Sequence, residues 1–518
     1  MGVLTPATPS SSDAFVLRTP SGAEAATRLR HERPQKRISG TVEVKNDFAA
    51  RSSGDGPLNG RGMTVSFVGL GYVGLCTAVA FADRGFDTLG VDVDPERLAL
   101  VEVGRAPIHE PGLERLLKKA VLSGRLHVSD DLADVAQTDV IFLTVGTPSR
   151  FDGSIDTSHV ERASREVGAA LRSERDMRLV VVKSTVVPGT TRSVVKPLLE
   201  ESSGKHVGVE LGLCTNPEFL KEGSAIEDTF HPDKLVIGGI DGGSVDRLKR
   251  LYRAFYGEEM PPTIETTPET AEMIKYASNA FLATKVSYIN TIANIAQLVP
   301  GLDVEQVASA IGLDPRIGPL FLRAGPGYGG SCFPKDVRAL IAFSLERGYD
   351  PGLLVAVEKA NERQASKVVE LSEKLVGSLE DKRVAVLGLA FKKDTDDVRE
   401  AASIRVIHRL QDKGARVTAY DPMAIPSARR VLGTAVEFAA DPKSAIDKAD
   451  CCIIMTEWDE FRCLKGKDFA ERMRKPNVVD ARRLYQRDEL EGVNVLAIGM
   501  GRSSSVQEHP APDAKVLA

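Results

Sequence analysis

The sequence predicts an α/β protein: two doubly wound parallel-sheet domains joined by a helical central region. Three observations carry this. Short β-branched runs ("TVSFVGL", "DTLGVDV", "DVIFLTV", "RLVVVKS") alternate with amphipathic stretches such as residues 111–123, the pattern of βαβ units around a buried parallel sheet. From about Thr267 the pattern becomes "ETAEMIKYASNAFLATKVSYINTIANIAQLV", apolar at spacings of three and four over many turns and therefore helical. Then "KRVAVLGLAF" and "ARVTAYDP" restart the strand, glycine and acidic-residue order of "MTVSFVGLGYVG" and "FDTLGVDVDP".

Taken along the chain, residues 1–62 are rich in Ser, Pro, Thr, Gly and Arg without a period. Such a composition buries too little to offset ordering entropy, so this is expected to be a disordered tail. The Arg content also fits an organellar transit peptide, a reading weakened by Asp13, Glu24 and Glu32. Residues 63–262 form the first α/β domain. Residues 263–378 form the helical centre, whose second long pattern, Val337 to Leu375, is broken by Gly348 and Pro351. Residues 379–501 form the second α/β domain, and 502–518 read as another disordered tail.

With 42% hydrophobic and 27% charged residues among 518, the chain can bury several cores. Its net charge of -5, 67 basic against 72 acidic residues, and the lack of a basic stripe with interleaved aromatics argue against nucleic acid as a partner. Cys76, Cys214, Cys332, Cys451, Cys452 and Cys463 show neither C-x-x-C spacing nor disulfide density, so no metal site is expected and the thiols read as reduced, in a cytoplasmic protein. No apolar run reaches the roughly 20 residues a membrane span needs.

"GLGYVG" places Gly69, Gly71 and Gly74 in G-x-G-x-x-G spacing between a strand and a helix, with Asp92 closing the next strand. This is the Rossmann-like dinucleotide pattern: a tight turn at Gly69, close pyrophosphate approach at Gly71, helix–sheet packing at Gly74, and ribose hydroxyls on Asp92. A carboxylate there repels a 2'-phosphate, which favours NAD over NADP. The second α/β domain has Ala390 and Phe391 where the first has Gly71 and Tyr72. Its sheet is therefore expected to serve a different ligand.

Three further clusters place polar residues where packing does not ask for them. Glu218 and Glu222 in "NPEFLKEGSA" are four apart, on one face if helical; Lys275 and Asn279 share that spacing inside an apolar helical pattern. Either pair alone reads first as a solvated helix face. In "GPGYGGSCFPKD" the glycines let backbone approach a ligand, and Cys332 and Asp336 can share a helix face. A helix N-terminus and a neighbouring lysine would lower the thiol's pKa. Taken alone, Cys332 reads first as a small buried hydrophobe, the commoner fate of a free cysteine.

In the order "GLGYVG", "HEPGLE", "KSTVVPGTT", "NPEFLKEGSA", "KYASNAF", "GYGGSCFPKD", "FKKDTDDVREA", residues 63–501 resemble the UDP-glucose/GDP-mannose dehydrogenases, which oxidise a nucleotide sugar to a uronic acid with two NAD per turnover. The cysteine loop and "FKKDTDD" look nearer the UDP-glucose type than the GDP-mannose or UDP-N-acetylmannosamine types. A non-catalytic NAD-binding scaffold is disfavoured because every expected chemical residue is present. The resemblance implies Cys332 as nucleophile, Lys275 and Asn279 as oxyanion partners, Thr185 and Asp336 as holders of a water, and Glu218 as hydrolytic base. It implies NAD against Gly69, Gly71, Tyr72, Val73, Gly74, Asp92, Arg97, Thr147, Thr185, Glu222, Lys335 and Arg399. The UDP-sugar would meet residues 218–222 (Glu218, Phe219, Leu220, Lys221, Glu222), Lys275, Asn279, Arg316, Arg323, Tyr328, Gly329, Phe391, Lys392 and Arg482, with the second α/β domain holding the UDP. Arg323 departs from the lysine of some relatives. In the family the residue matching Arg316 reaches a neighbouring subunit, which implies a homodimer or larger built on the central region.

Overall fold

The computed structural model describes residues 62–486 and 489–501. The two tails expected to be disordered lie, apart from Gly62, outside the described residues.

Strands β1 (Val65–Val68), β2 (Thr88–Val91), β3 (Leu126–Ser129), β4 (Val140–Leu143), β5 (Arg178–Val182), β6 (Leu211–Thr215), β7 (Leu235–Gly239) and β8 (Thr263–Thr266) make one sheet. Their order is β3-β2-β1-β4-β5-β6-β7-β8. The apolar runs fall where expected: β1, β2, β4 and β6 are buried at every residue, because helices cover both faces of a parallel sheet. One junction departs from the parallel expectation. β7 runs antiparallel to β6, with Cys214 opposite Gly239 and Thr215 opposite Gly238. The connection between them turns back at the end of β6 instead of crossing the sheet, and its first residues carry much of the site described below.

β9 (Arg383–Leu387), β10 (Arg416–Tyr420), β11 (Glu437–Phe438), β12 (Cys451–Ile454), β13 (Asn477–Asp480) and β14 (Asn494–Ala497) form a second, parallel sheet in the order β11-β10-β9-β12-β13-β14. Relative to its own first strand this is 3-2-1-4-5-6, the order the first six strands also follow and the doubly wound dinucleotide-binding topology. Both sheets turn out of their first strand on a left-handed glycine, Gly69 at φ 97° and Gly388 at φ 100°. Their strand-end carboxylates differ in employment. Asp421, which closes β10, accepts from the backbone N–H groups of Leu389, Ala390, Met423 and Ala424 and from the Trp458 indole.

Between the sheets lies the helix Pro268–Ala296, capped by the Thr267 hydroxyl accepting from Thr270 N–H. Its 29 residues span about 43 Å. Ala271, Tyr276, Ala280, Ala283, Ala293 and Ala296 face the core, joined by the polar Lys275, Asn279 and Asn290. The expected break in the later helical pattern separates helices Phe333–Glu346 and Gly352–Val376. Ser287 Oγ donates to the carbonyl of Val357 and Asn294 to Gln364, which ties the last helix to the first.

Candidate active site

The carboxyl ends of β1, β4, β5 and β6 share one edge of the first sheet, and ligands bind at that edge in doubly wound folds. A cleft of about 1440 Å³ lies there. It brings together Gly69, Gly71, Tyr72, Val73, Asp92, Arg97, Thr147, Thr185 and Glu218 from the first α/β domain with Cys332 and Lys335 from the centre and Arg399 beyond β9.

The glycine loop fits a dinucleotide for reasons visible in its packing. A Cβ on Gly74 would lie 1.9 Å from the Gly69 carbonyl oxygen and 2.7 Å from Thr144 Oγ1, so only glycine lets helix Tyr72–Asp83 approach the turn. A Cβ on Gly71 would meet nothing within 4 Å, which leaves the helix end approachable by a pyrophosphate. Asp92 is 7% exposed; its carboxylate accepts from Leu70 N–H at 2.6 Å, Asp94 N–H at 3.0 Å and Arg97 Nη1 at 2.9 Å. Arg97 is thus restrained by Asp92 at the rim of the cleft. Asp92→Ala should weaken NAD binding and leave that guanidinium to attract a 2'-phosphate. The expected result is at least a tenfold fall in the NAD-over-NADP ratio of kcat/KM; an unchanged ratio would remove Asp92 from the ribose.

Cys332 is the N-cap residue of helix Phe333–Glu346. Its Sγ lies 3.5 Å from Ser331 Oγ, which donates in turn to Glu222 at 2.7 Å. The lowered thiol pKa expected from the helix end is corrected here. Burial and the carboxylates of Glu218 and Asp336 push the thiol up to about 11, against the opposing pull of the Lys275 ammonium. Lys335, expected to assist the thiol, donates instead to Asp336 Oδ1. Lys275, from the long helix, opposes that rise, and Arg399 is electrostatically coupled to the same sulfur.

Lys275 and Asn279 do share one buried face of that helix. Lys275 Nζ donates to Glu218 Oε1 at 2.9 Å, and side-chain exposures of 4% and 7% place the pair in the interior. Burial works against both charges, yet each sustains the other. Lys275 ends above its usual pKa through Glu218, Cys332 and Asp336, and Glu218 below its own through Lys275, Leu220 N–H and Lys183. Asn279 Nδ2 donates to Asp336 Oδ2 at 2.6 Å, and its second N–H remains to be directed at a ligand.

The helical face expected for Glu218 and Glu222 does not exist, because residues 216–223 are a loop. Glu218 turns to Lys275 and Glu222 to Ser331 and Arg399. Burial and Asp397 push the Glu222 carboxyl up to about 7. Phe219 lies under two ammonium groups, Lys234 at 4.4 Å and Lys275 at 5.4 Å. Leu220 is half-buried against the core of the first α/β domain, and Lys221 points outward to Asp228.

The remaining candidates divide. Thr147 Oγ1 donates to the Thr185 carbonyl at 2.8 Å, fixing that threonine. Tyr328 spends its hydroxyl on Glu358, and a Cβ on Gly329 would strike the Glu400 carbonyl oxygen at 2.4 Å, so this loop is anchored by its backbone. Arg482 donates to the carbonyls of Met455 and Phe391, Arg323 reaches the Arg482 carbonyl, and Lys392 lies 5.7 Å over the Phe391 ring. Arg316 is gripped by Asp314 with 87% of its side chain exposed, outside the cleft.

Lys183, at the end of β5, went unassigned in the sequence reading. It is 7% exposed, donates to Asn216 Oδ1 at 2.9 Å, and is pulled down to about 8 by burial, partly offset by Glu218. A lysine closing the apolar run "RLVVVKS" was the available signal. Arg338 was missed too: it joins the cysteine helix to Glu358 and Glu400 through three hydrogen bonds of 2.8–3.1 Å.

Family models of the UDP-glucose/GDP-mannose dehydrogenases match the chain in three parts: the NAD-binding domain at residues 63–256, the central domain at 269–363 and the UDP-binding domain at 385–487. The chain is 43% identical to a UDP-glucose 6-dehydrogenase of Haloferax volcanii, covering 82% of this chain and 98% of that one. It is 43% identical to that of Rhizobium meliloti over 84% and 99%. The solved structure of a UDP-glucose dehydrogenase from Pyrobaculum islandicum superposes with a TM-score of 0.77 at 40% identity, over 85% of this chain and 97% of that one.

Proposed function

The chain belongs to the UDP-glucose/GDP-mannose dehydrogenase family, and from that premise we propose that it works through covalent catalysis at Cys332. The reaction is the NAD-dependent oxidation of UDP-glucose to UDP-glucuronate, a four-electron change at one carbon. Bound NAD supplies the hydride acceptor in each of the two oxidations.

The observation that carries the proposal is that Cys332 shares one cleft with Glu218, whose carboxylate is held at 2.9 Å by the buried Lys275 ammonium. The first oxidation removes a hydride and the hydroxyl proton and leaves an aldehyde. Cys332 Sγ then bonds to the carbonyl carbon as the C=O π pair moves to the oxygen, which becomes an alkoxide facing Lys275 and Asn279, and the thiol proton is released to solvent through a water that Thr185 and Asp336 would hold. Loss of the second hydride from that carbon gives a thioester. Glu218, kept ionised by Lys275, takes a proton from the attacking water. As the C–S bond breaks, the proton held by Glu218 passes to the departing sulfur, and the carboxylic acid loses its proton to solvent and leaves as the carboxylate. Arg482, Arg323 and Lys392 are assigned to the UDP portion on their clustering around Phe391. Turnover on a panel of nucleotide sugars checks the substrate: UDP-glucose should exceed GDP-mannose and UDP-N-acetylmannosamine by at least a hundredfold in kcat/KM, and parity would defeat the assignment.

A homodimer is part of the same reading. Phe281, Tyr288 and Ile295 recur every seven residues along Pro268–Ala296 and are 64%, 53% and 51% exposed, an apolar stripe that a second copy would cover. Arg316 would reach across that contact. Phe281→Asp should convert a dimer to a monomer in sedimentation; a monomeric unsubstituted protein would refute the assembly. A cytoplasmic location is proposed on the six unbonded cysteines, and cell fractionation checks it.

A further inference from the structure

The "HEPGLE" segment takes no part in the chemistry above, yet its Glu110 is 5% exposed and holds the catalytic loop. Glu110 Oε2 accepts from Gly223 N–H and Oε1 from Ala225 N–H, both at 2.7 Å. Gly223 N–H also lies 2.9 Å from Tyr72 Oη, in the glycine-rich turn. The surrounding sequence explains why the carboxylate is so well fixed. Pro111 sets the backbone, Gly112 takes a left-handed φ of 81°, and Leu113 enters the core as the first residue of helix Leu113–Leu122.

A loop without ladder partners must find acceptors for its buried N–H groups elsewhere. Within residues 218–225, Leu220 N–H is accepted by Glu218 and Lys221 N–H by Asp228. These are local bonds and move with the loop. Asn216 ties the start of the loop to β5 and β7, and Glu110 and Tyr72, more than a hundred residues away in sequence, tether its far end. We propose that Glu110 is a positioning residue for the hydrolytic half of the reaction: its two oxygens fix the Gly223 and Ala225 amides and so aim Glu218 and Glu222 at the sulfur. The segment after β9 rests on the same point. A Cβ on Gly223 would lie 3.3 Å from the Asp394 carbonyl oxygen and 3.7 Å from Lys392 Nζ.

This inference rests on the roles given above to Cys332 and Glu218. Glu110→Gln keeps the shape but replaces one acceptor by an NH2 group, which faces one of the two amides donor to donor. In the full chain with saturating UDP-glucose and NAD, kcat is expected to fall 10- to 100-fold. Intact mass should show a covalent sugar-nucleotide adduct on Cys332, as in a parallel Glu218→Gln sample, while the NAD dissociation constant stays within twofold. Glu110→Asp, retaining two acceptors, should recover part of kcat. If Glu218→Gln accumulates adduct and folded Glu110→Gln does not, Glu110 is structural only and the inference falls while the mechanism stands. If neither accumulates adduct, the mechanism fails and the inference with it. Should Glu110→Gln not fold, Tyr72→Phe, which removes the other acceptor of Gly223 N–H, must show a smaller accumulation of the same adduct; its absence overturns the proposal.

Discussion

Cys332→Ala protein is expected to fold and bind NAD and to make no uronate. Removing one sulfur from a half-buried helix end creates a small cavity, a cost of about 1 kcal/mol, so the loss of turnover cannot be charged to unfolding. Chemically the loss is complete, since an aldehyde offers no second hydride until a nucleophile has added to it. Cys332→Ser separates the steps. A hydroxyl is much less nucleophilic than a thiolate and an ester hydrolyses more slowly than a thioester. A sugar-nucleotide adduct should therefore build up on Ser, visible by intact mass, while steady turnover falls by several orders of magnitude. Near-normal uronate production by folded Cys332→Ala would reduce the thiol to a packing residue.

Lys275→Met should be nearly as severe, because three functions fail together. The alkoxide loses its cationic partner, an effect of ~10²- to 10³-fold per donor in comparable sites. The thiol, already pushed up to about 11 with Lys275 pulling it down, rises further. Glu218 loses the partner that holds its carboxyl below the usual range. The sign of the pH effect follows: a base must be ionised, so raising its pKa moves the acid limb of the kcat profile to higher pH. Steady-state kcat for uronate release, which includes the hydrolytic step, measured across pH 5–9 tests this. A Lys275→Met enzyme with an unshifted acid limb and less than a tenfold loss would show that the buried ammonium is structural.

Most of the architecture is legible in the sequence because buried parallel strands and glycine turns leave short-range signatures. Gly69, Gly71 and Gly74 declare their turn by spacing alone, and Lys275 with Asn279 by position on a helix of obvious period. What escapes is whatever depends on burial or on distant partners. Glu218 and Glu222 look like a helix pair but occupy a loop whose N–H groups are satisfied by carboxylates, one of them Glu110 from far along the chain. The thiol of Cys332 sits at a helix end, a local feature that lowers pKa, yet desolvation and two carboxylates reverse the sign. Lys183 and Arg338 gain their meaning from Asn216, Glu358 and Glu400, none of them near in sequence.

The two strand-end carboxylates have a consequence for timing. Asp92 lines the cleft, whereas Asp421 is saturated by four backbone N–H groups and an indole, so among the described residues the strand-end carboxylate placed for a nicotinamide nucleotide is Asp92. Two oxidations per sugar then require an exchange midway: the spent carrier departs and a fresh one arrives before the second hydride can move. During that interval the half-oxidised sugar must not escape. On the mechanism proposed for Cys332, its retention falls to the sulfur bond and to the groups proposed for the UDP, and the residence time of the intermediate has to outlast the swap.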